Sequence, residues 1–249
     1  MGGALAQWFG MKNVFIITGV VLLITLLLTI FLVQEDFEPV EKGDLLSIKE
    51  IFGQIKNMQL LVGLFITSLI LQLGVTSISP ILTLYIRDLS GNSGNILFVS
   101  GLIVSVAGVS AIISSPFLGK IGDRYGNHKV LLGGLLLSFF CFIPMGFVST
   151  PFQLGVLRFL LGFSTGALMP SINTLISKIT PMEGVSRIYS YNQMFSNFGQ
   201  VLGPMVGSTV AAGFGYPAVF WVTSGFVLIN IFISGFNFRK SLRKTDISE

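Results

Sequence analysis

The strongest limit on the fold is the run from Ile188 to Phe238, fifty-one consecutive residues without a charged side chain. At 1.5 Å per residue this is too long for one crossing of a hydrocarbon layer about 30 Å thick and suits two. Gly213-Phe214-Gly215-Tyr216-Pro217 supplies the turn that divides it. Shorter uncharged runs repeat the theme. Asn57 to Ile86 and Leu89 to Gly119 predict helices over Leu60 to Tyr85 and Ile96 to Leu118, joined by Arg87-Asp88 and a Gly/Ser/Asn turn. Val130 to Phe147 follows, is turned back by Ser149-Thr150-Pro151, and leads into Phe152 to Ile176, which ends at Lys178. Val14 to Val33 adds a further twenty uncharged residues. It is too long for a signal-peptide core, has no basic flank beyond Lys12, and no small-residue cleavage site follows it. The expected fold is all-α: a polytopic membrane protein with about seven transmembrane helices. The composition agrees, with 52% apolar residues, 10% charged residues and a mean hydropathy of +0.82.

Several function classes drop out. One cysteine, Cys141, cannot form an internal disulfide, and one histidine, His128, leaves no Cys/His set for zinc, so no metal and no cofactor is expected. No nucleophile–base pair suggests an enzyme. The net charge of +4 lies between apolar runs rather than on a soluble module, which points to the lipid bilayer as neighbour and away from nucleic acid.

The one sizeable polar segment is Glu35 to Lys56, with six acids and three bases. Ser47 and Glu50 form a capping-box pair, and Leu45, Ile48, Phe52 and Ile55 recur at helical spacing, so either a short helix on the membrane surface or a solvated linker is expected. Bases alternate along the loops. The linker carries three Lys or Arg, Lys120 to Lys129 three, Lys178 to Arg187 two and the tail four, while the intervening connections hold only Lys12 and Arg87. This pattern predicts a multi-pass cell-membrane protein whose basic faces are cytoplasmic, with the N-terminus outside and the C-terminus inside.

Between two apolar runs lies Gly119-Lys-Ile-Gly122-Asp123-Arg124-Tyr-Gly126-Asn-His-Lys129, read as a short polar turn. It resembles the loop signature of the major facilitator superfamily, which links the second and third helices of each six-helix half. It departs at Asn127 and His128, where that family usually carries two bases. The resemblance implies that Gly119, Gly122, Asp123, Arg124, Gly126 and Lys129 form a conformational switch in which Asp123 and the bases dock on neighbouring helix ends.

Residues 1–24 repeat the C-terminal region at an offset of 205, with nine identities that include Gly10 with Gly215. The expected layout is therefore the end of a first six-helix repeat at 1–33, a cytoplasmic linker at 34–58, a second six-helix repeat at 59–238 and a tail at 239–249. On this reading the chain is truncated at its N-terminus, and about five helices of the first half precede Met1 as the complementary membrane segment.

No acid falls inside an expected span, so a proton-carrying carboxylate would belong to that other half. Arg158 is the intramembrane charge. The run Leu154-x-x-x-Arg158-x-x-x-Gly162-x-x-x-Gly166 resembles the fourth-helix signature of drug–proton antiporters. Arg158 is expected to brace its helix through charge-assisted hydrogen bonds, because guanidinium keeps its proton. Gly199, Gly203 and Gly207 with Pro204 form a small-xxx-small ladder for packing or hinge bending, similar to the antiporter sequence Gly-x-x-x-Gly-Pro-x-x-Gly. Gln72, Asn192, Gln193, Phe195 and Asn197 are the candidate substrate-pathway residues, since unpaired amides in hydrocarbon are costly and must face protein or a wet cavity. Together these motifs resemble the multidrug-efflux, drug–proton antiporter branch of the superfamily, which implies a rocker-switch exporter of small lipophilic substrates. A facilitator for a sugar or metabolite, and a non-transporting remnant or membrane interaction partner, are the alternatives.

Overall fold

The computed structural model describes residues 2–32, 48–55, 57–91 and 96–245, and every element among them is helical. The helices are α1 (Gly2–Leu32), α2 (Ile48–Gln54), α3 (Met58–Leu89), α4 (Ile96–Tyr125), α5 (Asn127–Met145), α6 (Pro151–Ile179), α7 (Val185–Phe214) and α8 (Tyr216–Thr245). A 3-10 turn, Met182–Gly184, precedes α7. Among the described residues, six helices can cross a membrane by length and composition: α1 from Lys12, α3, α4, α5, α6 and α8. The seventh long helix, α7, is thirty residues long but diluted by amides and hydroxyls.

Helix boundaries run past the apolar runs because backbone hydrogen bonding does not stop where hydrocarbon does. Arg87 and Asp88, expected in a connection, lie in the last turn of α3. The Gly119–Lys129 stretch is likewise not an extended turn: α4 continues through Asp123 and Arg124 to Tyr125, and α5 starts at Asn127. The whole reversal falls on Gly126, at φ 103°. Only glycine adopts that backbone without strain. Two other starts, those of α3 and α6, are capped by side chains. Asn57 Oδ1 accepts from the Leu60 N–H at 3.1 Å. Thr150 Oγ1 accepts from the Gln153 N–H while Gln153 Oε1 accepts from the Ser149 N–H, with Pro151 in the first turn.

Packing follows an exchange rule. The closest pairs are α3 with α7 and α4 with α6; next come α5 with α6 and α3 with α8; α5 also lies on α8. Swapping the triplet α3–α4–α5 for α6–α7–α8 maps each of these pairs onto another or onto itself. Because each triplet has an odd number of crossings, the two run in opposite senses through the membrane, as an inverted repeat requires.

The linker helix differs from expectation. The stretch from Leu45 to Ser47 lies outside the described residues, but α2 packs on the bundle rather than lying free on a membrane surface. Ile51 and Ile55 are buried, Ile51 fills the space beside Gly184, and the Phe52 ring meets Tyr191 at 5.7 Å. By contrast α1 touches α4 and is otherwise exposed along its apolar length, with Phe15 74% and Phe31 77% accessible. It is broken at Gly10, φ 75° and ψ 153°, close to the φ 83° and ψ 169° of Gly215 between α7 and α8.

Gly126→Ala would force a side chain into this backbone and against the His128 ring. It should cost about 1–3 kcal/mol. Thermal unfolding of the purified protein should show a lowered midpoint, with Gly119→Ala, where no atom lies within 4 Å, as the unchanged control.

Candidate functional site

The helical period divides α7 into two faces. Asn192, Ser196, Gly199, Gly203 and Gly207 recur at three or four residues and are buried against α3. A Cβ at Gly199 would strike the Leu69 carbonyl, one at Gly203 the Leu73 carbonyl, and one at Gly207 the Ser77 carbonyl. The three glycines therefore bring the two backbones into direct contact. Above them Ser68 Oγ donates to Asn192 Oδ1 at 2.7 Å, and Phe195 stacks on Phe65 at 5.3 Å. Thr76 Oγ1 donates to the Gln72 carbonyl at 2.7 Å. Gln72 is half-buried, its Cβ beside Gly199.

The opposite face of α7 is open. Gln193 Nε2 donates to Asn197 Oδ1 at 2.9 Å, and both are exposed. With Ser190, Met194, Phe198 and Val201 they line a concavity of about 520 Å³. The five candidate pathway residues are thus separated. Gln193 and Asn197 share the open face, whereas Asn192 and Phe195 hold the α3–α7 seam and Gln72 borders it. What the open face offers is two paired amides among flexible apolar and aromatic side chains, with no charge. Such a surface can repack around varied lipophilic molecules.

Gly162 and Gly166 on α6 repeat the packing device against α4. A Cβ at Gly162 would strike the Ala107 carbonyl, and one at Gly166 the Ala111 carbonyl and Ser114 Oγ. α7 runs unbroken through Pro204. Arg158, one turn before Gly162, is half-buried and its Nε is enclosed without a hydrogen-bond partner. The expected bracing is therefore not made at that atom. In the signature, Gly122 is buried against Asn127 Oδ1, Gly119 is half-buried, and Asp123, Arg124 and Lys129 are exposed at one end of the bundle.

Sequence reasoning passed over the seam between α3 and α8. Thr67 Oγ1 donates to Asn230 Oδ1 at 2.9 Å and lies 3.1 Å from Ser234 Oγ. Gln59 Nε2 donates to Asn237 Oδ1 at 3.3 Å, and Ser77 and Thr223 hydroxyls meet at 3.1 Å. The signal was present: Thr223, Asn230, Ser234 and Asn237 lie on one helical stripe.

The Major Facilitator Superfamily description matches residues 64–247, the stretch that contains most of α3 through α8. The chain belongs to this superfamily. It is 55% identical to a multi-drug resistance efflux pump PmrA homolog of Lactococcus lactis over 249 residues, all of this chain and 62% of that relative. It is 49% identical to the multidrug resistance protein MdtG of Citrobacter koseri and 48% to that of Klebsiella pneumoniae, each over 96% of this chain and 59% and 58% of the relative. The chain spans about three fifths of the length of these curated relatives. Within a major facilitator, each six-helix half is built of two inverted three-helix units, which is the exchange seen here between α3–α5 and α6–α8.

Gly203→Leu should disrupt the α3–α7 contact at a cost of about 1–3 kcal/mol. Gly213→Ala, on the same helix with no atom within 4 Å, should not. The measurement is the midpoint of thermal unfolding in detergent for the two variants beside the parent.

Proposed function

We propose that this chain is part of a proton-coupled secondary transporter that exports lipophilic compounds, with α3–α8 as its second six-helix repeat and α1 as the end of the first. The observation that carries the reading is the uncharged, amide-bearing open face of α7, in a chain whose relatives are named as multidrug efflux proteins. A sugar or metabolite facilitator would call for defined charged or polar groups there, and the face has only Ser190, Gln193 and Asn197.

The layout 1–33, 34–58, 59–238 and 239–249 is part of the same proposal. Its support is the shared left-handed break at Gly10 and Gly215, residues paired by the 205-residue offset. So is the orientation, N-terminus outside and C-terminus cytoplasmic, which rests on the alternation of Lys and Arg between loops. The carboxylate that carries the proton then belongs to the complementary membrane segment, because the acids of this chain fall at helix ends, in connections or in the tail. On this reading Asp123 docks on that segment; its exposure in the last turn of α4 supports the reading.

The test is dye accumulation in an efflux-deficient bacterium making this chain alone, or with the preceding helices of the Lactococcus lactis relative. Ethidium should be expelled in the second case, and accumulation equal to empty-vector cells in both would reject the reading. In the complemented system, Asp123→Asn should lower efflux about tenfold, the worth of one charge-assisted hydrogen bond, at unchanged membrane abundance. Normal efflux by that variant would reduce the signature to a topology signal.

A further inference from the structure

At the basic end of the bundle a groove of about 240 Å³ opens between α4 and α5, with α6 behind it. Leu118, Ile121, Val130, Leu137, Phe163 and Ala167 make its apolar walls. Its depth comes from Gly133, where an added Cβ would meet no atom within 4 Å. Ser164 also lines it, but its hydroxyl is engaged by Ser138 and the Gly134 carbonyl, and the charged groups stand at one end. There Lys129 lines the wall, beside Tyr125, whose ring is covered by the Arg124 guanidinium at 5.4 Å from its centroid. All three residues are exposed.

The charges at that end do not cancel. Leu118, Ile121 and Tyr125 lie on one stripe of α4, whereas the nearby acid, Asp123, is about 160° round the helix from Ile121. A second contribution comes from α5 itself. Its N-cap is Gly126, which offers no side-chain oxygen to the first-turn N–H groups. The mouth thus combines two cations and an uncapped helix start, all of which favour an anion. The apolar channel leading away from it favours a hydrocarbon chain.

We propose that this groove is a binding site for one anionic phospholipid, with the phosphate held between Arg124 and Lys129 at the start of α5 and one acyl chain lying over Gly133. A free phosphate would use only the mouth, and a neutral lipid only the walls; the site as built uses both. Within the signature it gives Arg124 and Lys129 a role separate from Asp123, which faces the other way. This role is independent of the transport reading, since it requires only the described helices.

The test is native mass spectrometry of the full 249-residue chain released from nanodiscs of phosphatidylcholine containing phosphatidylglycerol. The parent should retain one phosphatidylglycerol in preference to phosphatidylcholine. Arg124→Gln with Lys129→Gln should weaken retention about thirtyfold, following the usual worth of two basic residues at an anionic surface. Gly133→Leu should also abolish selective retention while leaving thermal stability intact, because the new side chain enters open space. Retention by Gly133→Leu equal to the parent would overturn the proposal, even if the charge variant fails, by showing a surface attraction without a groove. Displacement of the lipid by millimolar inorganic phosphate would overturn it too, by showing an anion site without a chain.

Discussion

Helix association in hydrocarbon gains nothing from expelling water, so this bundle depends on how closely its backbones approach. Two seams provide the approach. On α7 the glycines 199, 203 and 207 lie on the carbonyls of Leu69, Leu73 and Ser77, and on α6 the glycines 162 and 166 lie on those of Ala107 and Ala111. In each seam a single Cβ would occupy the position of a main-chain atom. Dispersion contacts made at that distance replace the missing hydrophobic driving force. The rest of the architecture, including which faces remain open, follows from these two contacts.

The same exchange that relates the glycine seams relates two polar ones. Thr67 with Asn230 and Ser234 joins α3 to α8, and Ser138 with Ser164 joins α5 to α6, the hydroxyls there 2.6 Å apart. Each such bond is worth only about 0.6 kcal/mol on average in a membrane, because polar groups find partners in the unfolded state as well. Their effect is on register more than on stability. Asn230 is fully buried and bonded through Oδ1 alone, so a slip of one turn would remove the bond to Thr67 that fixes it against α3.

Charge-free runs made the helices legible, and a helix continuing past its apolar run is what those runs cannot show. That is why Asp123 and Arg124 were expected in a turn and stand on α4. The glycine ladders were legible as packing motifs because only small residues at four-residue spacing allow contact. The partition of Gln193 and Asn197 from Asn192 and Phe195 was half visible: the period separates the amide stripes, but which stripe meets α3 depends on where Gly199 lies. The α3–α8 polar seam was missed because serine and threonine in an apolar helix usually bond to their own backbone, as Thr18 and Thr25 do here. Tertiary contact alone distinguishes Thr67, whose hydroxyl lies within reach of both the Gly63 carbonyl and Asn230 Oδ1.

α7 shows why apolarity alone undercounts membrane helices. It falls short of the composition of its neighbours because it carries Asn192, Gln193, Asn197 and Gln200 within nine residues. Gln193 and Asn197 bond each other and Asn192 bonds Ser68, so for three of the four the cost of a low-dielectric layer is offset by a partner. An amide satisfied by its neighbour on the same helix needs nothing from outside, yet it can exchange that bond for one to a passing molecule at little cost. The face that packs is built from groups that cannot move, and the face that stays open from groups whose bonds are local and replaceable. Both are written on opposite sides of one helix.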